Sequence, residues 1–169
     1  MDHTSEALSR PPEEADLVSL CRELNRREAK YLIIGGFAII AAGYPRFTED
    51  VDLLVEVSLE NEQKVIDALM TLPDRAAQEI SAGEINEFVV VRVGDVFTID
   101  LMKSACGIAY EEASAHIVHH EIQGVTIPFA SPRLLWHMKA RTHREKDALD
   151  LIFLREYFTQ RGEAIPTDR

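Results

Sequence analysis

Three aspartates carry the residue types and spacing that could do chemistry. Asp50 and Asp52 alternate with Val51 and Leu53 in the run DVDLLVE, and Asp100 interrupts the apolar run VFTIDLM. Successive side chains on a strand point to opposite faces, so Asp50 and Asp52 share one face while Val51, Leu53, Val55 and Val57 take the other. Strand rise sets the two carboxylates about 6.5–7 Å apart, close enough to serve one hard cation. Like charges at that spacing repel unless something positive lies between them, and Mg²⁺, or Mn²⁺ in its place, prefers carboxylate, water and phosphate oxygen. In the second run Phe97, Ile99 and Leu101 form the core face, leaving Asp100 opposite them with Thr98 and Met102. An acid in mid-strand is unfavourable by propensity, and a neighbouring strand carrying Asp50 and Asp52 would supply the reason for it.

Ahead of the acids, the apolar run from Lys30 to Ile34 ends in Gly35-Gly36. Residues without Cβ let a bulky anion approach the backbone, and the N–H groups that open a following helix point at such a group. A phosphate suits this geometry. Gly43-Tyr44-Pro45 then reads as a turn, and Arg46 and Thr48 lead into the acidic strand.

The order Gly-Gly, short helix, Asp-hydrophobic-Asp resembles the nucleotidyltransferase superfamily that includes DNA polymerase β and the small antibiotic nucleotidyltransferases. The fuller form, GG followed by RFTEDVD, is most similar to the AbiEii-like toxin nucleotidyltransferases, over roughly residues 30 to 155. The resemblance implies an α+β fold with a mixed sheet flanked by helices. It implies transfer of a nucleoside monophosphate from an NTP to an acceptor, with Asp50, Asp52 and Asp100 as catalytic metal ligands and Asp100 also as general base. Gly35, Gly36, Arg46 and Thr48 would hold the nucleotide. The acceptor would be RNA, tRNA or protein in a toxin-like enzyme with a cognate antitoxin, or a small molecule in an antibiotic-type enzyme. A non-catalytic nucleotide-binding component of a toxin–antitoxin pair is the rival from another class, and the presence of all three carboxylates counts against it.

The elements that must position these residues follow from the pattern. Leu17, Leu20, Cys21 and Leu24 recur at helical spacing from Ala15 to Arg27, preceded by a loose tail over 1–14 with Pro11-Pro12. Ser58 caps a helix from Leu59 to about Thr71. Glu87 to Val93 and Val96 to Met102 read as a hairpin around Gly94-Asp95, and His116 to Gln123 and Val125 to Ala130 as two strands around Gly124. Adjacent His119 and His120 face opposite ways, so the histidines are expected to be structural or exposed. The core is thus expected over 15–130, with a helical segment over 131–169 packed on it.

That segment starts at Ser131-Pro132, a cap followed by proline at the first helical position. Between Ser131 and Lys146 it holds five basic residues and one acid. Trp136 is expected to pack. The last helix, about Glu145 to Gln160, is expected to turn Leu149, Ile152, Phe153 and Tyr157 to the core. Lys146, Asp147 and Asp150 lie in its first turns, where a charge run ordinarily forms a solvated face stabilised by dipole and ion pairs. Lys139, Arg141 and the run KDALD from Lys146 to Asp150 resemble the K…R…KDxxD arrangement of AbiEii-like and lincosamide-type enzymes. There a lysine contacts the triphosphate, which makes Lys139 and Lys146 nucleotide-binding candidates.

Composition narrows the class. The 169-residue chain carries a net charge of −11, with 10 basic and 23 acidic side chains in residues 1–130 but 8 basic and 6 acidic in 131–169. Such a balance argues against an extended nucleic-acid surface and leaves room for a local basic site. No apolar run approaches a membrane span and the N-terminus lacks a signal-peptide core, so a cytoplasmic protein without membrane contact is expected. Two cysteines, Cys21 and Cys106, form neither metal-ligand spacing nor a disulfide framework.

Overall fold

The computed structural model describes residues 9–142 and 145–167. Its centre is a six-stranded mixed sheet in the spatial order Val91–Gly94, Thr98–Met102, Asp50–Val55, Tyr31–Ile34, Val125–Ala130, Ile117–Ile122, with a separate two-stranded ribbon. Helix α1 (Glu14–Arg26) leads to β1 (Tyr31–Ile34), α2 (Gly36–Ala42), β2 (Asp50–Val55) and α3 (Leu59–Leu69). A short helix α4 (Glu84–Glu87), the hairpin β3 (Val91–Gly94) and β4 (Thr98–Met102), and the ribbon β5 (Ser104–Ala105) and β6 (Ile108–Ala109) follow. The chain ends with α5 (Tyr110–Ala113), β7 (Ile117–Ile122), β8 (Val125–Ala130), α6 (Pro132–Lys139) and α7 (Glu145–Gln160).

The α+β architecture thus has the expected mixed sheet flanked by helices. β1 runs antiparallel to β2 and parallel to β8, while β2 and β4 are parallel neighbours joined through α3 and the β3 hairpin. Strand β1 is buried along its whole length, as its continuous apolar run requires of a central strand. Helix α1 packs on α3 and β8, and α2 packs on β1, β2, β8 and α6. Phe97, Phe129 and Phe158 are among the largest fully buried side chains, each contributing about 1.5–3 kcal/mol by leaving water.

Local chemistry fixes the joints. The Ser58 hydroxyl accepts from the Asn61 N–H and the Ser131 hydroxyl from the Leu134 N–H, so both expected caps form. Buried Asn61 accepts from the Lys30 N–H and donates to the Lys30 and Glu56 carbonyls, stitching the start of β1 to the end of β2. Buried Asp95 accepts from the backbone N–H groups of Asp74 and Ala76, which ties the polar stretch after α3 to the β3-β4 turn. Buried Glu62 does the same for Gly83 and Ile85 at the start of α4. In the stretch where a loose tail is expected, residues 1–8 lie outside the described residues, Ser9 donates to the Asp95 carbonyl and the Arg10 N–H to that of Val96.

One expectation fails. Of the four α7 residues expected to face the core, Phe153 and Tyr157 do pack against it, partly buried, but Leu149 and Ile152 are 60% and 62% exposed, and Asp147, Asp150, Leu154 and Phe158 form the buried face. The helix is turned so that two acids point inward, because cations from elsewhere in the fold await them there. Trp136 packs as expected, edge-to-face on Phe158. His116, His119 and His120 are exposed. Among the described residues no helix is long and apolar enough to cross a membrane.

Candidate active site

The parallel pairing of β2 with β4 sets Asp52 directly beside Asp100, and Asp50 beside Thr98. Each of the three carboxylates offers an oxygen, and these oxygens lie within 4.8 Å of one another. Strand alternation supplies the common face and the register supplies the alignment. Val51, Leu53 and Leu101 on the opposite face are fully buried, so sliding either strand by one residue would turn a carboxylate into the core.

The donor set fits a hard divalent cation. All three ligands are carboxylate oxygens, and their spread is close to the diameter of a Mg²⁺ shell, with roughly 2.0–2.1 Å per oxygen. The glycine pair is shaped around them. Gly35 has φ +70°, a conformation that favours glycine, and a Cβ there would collide with the Asp52 carboxylate. A Cβ on Gly36 would collide with the Thr48 side chain, which itself donates to the Asp50 carbonyl at 3.1 Å. The absent side chains therefore make room for protein groups, bringing the acidic strand against the backbone that opens α2.

These residues line one cleft of about 520 Å³. Gly35, Gly36, Arg46, Thr48, Asp50, Asp52, Asp100 and Lys139, all expected at the site from sequence, meet there. Apolar Ile34, Phe47, Val90, Met102, Leu135 and Met138 complete much of its wall. Phe47 and Val90 are 65% and 45% exposed. The expectation for Lys146 falls on a side chain outside the described residues.

Lys139 is not a free cation. Its buried ammonium lies 3.0 Å from Asp147 and 2.9 Å from Asp150. Asp150, with no exposed side-chain surface, also pairs with Arg46, whose Nε stands 3.0 Å away and whose Nη2 donates at 3.1 Å. Thr142 donates to Asp147 as well. Two cations and two acids thus lock α6 and α7 to the loop that enters β2. The solvated face that a charge run at a helix start ordinarily forms is not what Asp147 and Asp150 build: they are buried because Arg46 and Lys139 compensate their charge.

Arg92 was missed in the sequence. It projects from β3 opposite Asp100, with Nε donating to Oδ1 at 2.9 Å and Nη2 to Oδ2 at 3.0 Å. Nη2 also reaches Asp50 Oδ2 at 3.4 Å. A two-residue turn at Gly94-Asp95 would set Arg92 opposite Phe97; the observed register pairs Gly94 with Thr98, and that longer turn is what brings Arg92 to Asp100.

Comparison with solved structures gives the fold its family name. The chain adopts the nucleotidyltransferase fold. It superposes on an antigenic nucleotidyltransferase-like protein from Paracoccidioides brasiliensis with TM-score 0.54 at 19% identity, covering 85% of this chain and 74% of that one. The lincosamide antibiotic adenylyltransferase LnuA, bound to lincomycin, matches with TM-score 0.53 at 14% identity over 88% of this chain and 99% of its own. The antibiotic-resistance factor ANT(2'')-Ia matches with TM-score 0.52 at 16% identity over 96% and 95%. No family model matches the chain. No curated protein matches it significantly.

Proposed function

We propose that this protein is a Mg²⁺-dependent nucleotidyltransferase that moves a nucleoside monophosphate from an NTP to an acceptor hydroxyl and releases pyrophosphate. The observation that carries the reading is the acid triad, three carboxylate oxygens within 4.8 Å at the floor of a cleft, on strands held in register by a buried apolar face. Asp50, Asp52 and Asp100 would hold Mg²⁺, or Mn²⁺ in its place. The bound ion would neutralise phosphate charge and align acceptor and leaving group, the main sources of rate in such transfers.

The chain's own residues do the positioning. Asp52, pressed against Gly35, fixes the metal-binding edge relative to the start of α2, where the phosphates would lie along the Gly35-Gly36 backbone. Thr48 and Arg46 border the same stretch. Asp100 would take the acceptor proton once an oxygen is released by Arg92. Lys139 acts through Asp147 and Asp150 by holding the wall of the cleft, a positioning role in place of the phosphate contact that the K…R…KDxxD resemblance implies.

For the acceptor, a hydroxyl-bearing small molecule is the better supported class. A cleft of about 520 Å³ with an apolar rim lies in the range of small-ligand sites. LnuA is by its description an antibiotic adenylyltransferase, and this chain spans nearly all of that protein's length. An RNA, tRNA or protein acceptor with an antitoxin partner is the second reading. It is favoured by Arg133 and Arg141, exposed basic residues in and just after helix α6. A cytoplasmic location goes with either reading.

The test is direct: incubate the protein with α-labelled NTPs and Mg²⁺, offering lincosamides, aminoglycosides and total RNA in separate reactions. Pyrophosphate release with label on a small molecule supports the first acceptor class, and label on RNA supports the second. No transfer to any acceptor, with NTP still bound, would favour a non-catalytic nucleotide-binding module.

A further inference from the structure

Arg92 touches two of the three carboxylates proposed to hold the metal. Its fork occupies both oxygens of Asp100 and a third contact reaches Asp50. A guanidinium and a divalent cation would therefore compete for the same oxygens. The two sides of the contact differ in freedom, since the Arg92 side chain is 53% exposed and that of Asp100 only 10%. Asp100 is held by the sheet, and Arg92 has room to leave.

We infer that Arg92 is the resident counter-ion of the acid cluster, that it yields Asp100 when the divalent cation binds, and that its fork then engages the nucleotide phosphates. The inference rests on the metal-site reading above. Three carboxylates this close repel, and the guanidinium relieves the repulsion when no metal is present. A dication placed beside an unmoved guanidinium would meet a repulsion well above thermal energy even at the effective dielectric of a protein surface. Arginine's planar fork matches phosphate as well as carboxylate, so the exchange replaces one bidentate partner with another. Arg92 lines the same cleft as Gly35 and Gly36. The exchange links metal arrival to phosphate capture, so that neither is complete without the other.

Mn²⁺ binding, measured without nucleotide by electron paramagnetic resonance on wild type, Arg92→Met, Arg92→Lys and Asp52→Asn, tests this. Removing the competing charge should tighten Mn²⁺ binding by roughly tenfold in Arg92→Met. Affinity for α,β-methylene ATP at saturating Mn²⁺ should fall roughly tenfold in the same variant, because the phosphate fork is gone. Arg92→Lys keeps the charge without the fork, so it should hold near-wild-type Mn²⁺ affinity and still lose nucleotide affinity. A merely structural role would weaken both affinities together. Folded Arg92→Met that binds Mn²⁺ no tighter than wild type overturns the inference; if that variant does not fold, Arg92→Lys decides by whether its two affinities separate. Wild type that binds Mn²⁺ no better than Asp52→Asn instead removes the metal site itself, and this inference with it.

Discussion

The cleft has two charged walls built on opposite principles. On the sheet side Asp50, Asp52 and Asp100 crowd together around one described cation, Arg92, and Asp50 and Arg92 keep substantial exposure. On the helical side Asp147 and Asp150 meet Arg46 and Lys139, two acids against two cations, with Asp150 fully buried. Burial demands compensation, because an unpaired charge away from water costs several kcal/mol. At the open edge of the cleft water screens the carboxylates, and a dication can reach them. The same residue types thus form a clamp where acids and cations are buried together, and a candidate binding site where the carboxylates stay accessible at the wet edge.

Substitutions should separate the walls. Asp52→Asn should abolish transfer, with a loss of about 10⁴-fold, or roughly 5.5 kcal/mol of transition-state stabilisation. It should hold or raise the melting temperature, since it relieves repulsion without opening a cavity; pyrophosphate release and a thermal melt read the two effects. A large drop in melting temperature would mean that the triad is a structural cluster after all. Asp150→Ala should do the reverse, costing about 3 kcal/mol of folding stability by leaving Arg46 without its buried partner. For a chain of this size that corresponds to a fall of roughly 6–12 °C in melting temperature. An unchanged melt would remove the distinction between the walls.

Smaller effects sharpen the picture. Gly35→Ala places a side chain at φ +70° against the Asp52 carboxylate, so about 2 kcal/mol of stability should be lost, along with the Mn²⁺ affinity that Asp52 supports. Titration calorimetry distinguishes this from a general loss of fold. The smallest effect concerns the cysteines. Burial pushes the Cys21 thiol up to about 12, whereas Cys106 is exposed and lines the cleft. Iodoacetamide at pH 8.5 should label Cys106 alone in the folded protein, and bound NTP with Mg²⁺ should slow that labelling a few-fold. Labelling of Cys21 at a comparable rate would show that the core around α1 opens readily.

Much of this molecule was determined by the sequence acting locally. Period-two alternation assigns Asp50, Asp52 and Asp100 to the faces opposite Val51, Leu53, Ile99 and Leu101, and Ser58 and Ser131 place their helix starts, because these effects depend on residues one to four positions apart. What joined them was non-local. Only the parallel register of β2 with β4 brings Asp100 to Asp52, and only the β3 pairing sets Arg92 on Asp100. The face of α7 was decided the same way. Its helical period allows either the side with Leu149 and Ile152 or the side with Leu154 and Phe158 to be buried. The second side wins although it carries Asp147 and Asp150. Their inward charge is tolerable only because the tertiary fold delivers Lys139 from α6 and Arg46, more than a hundred positions away in the chain, to meet them.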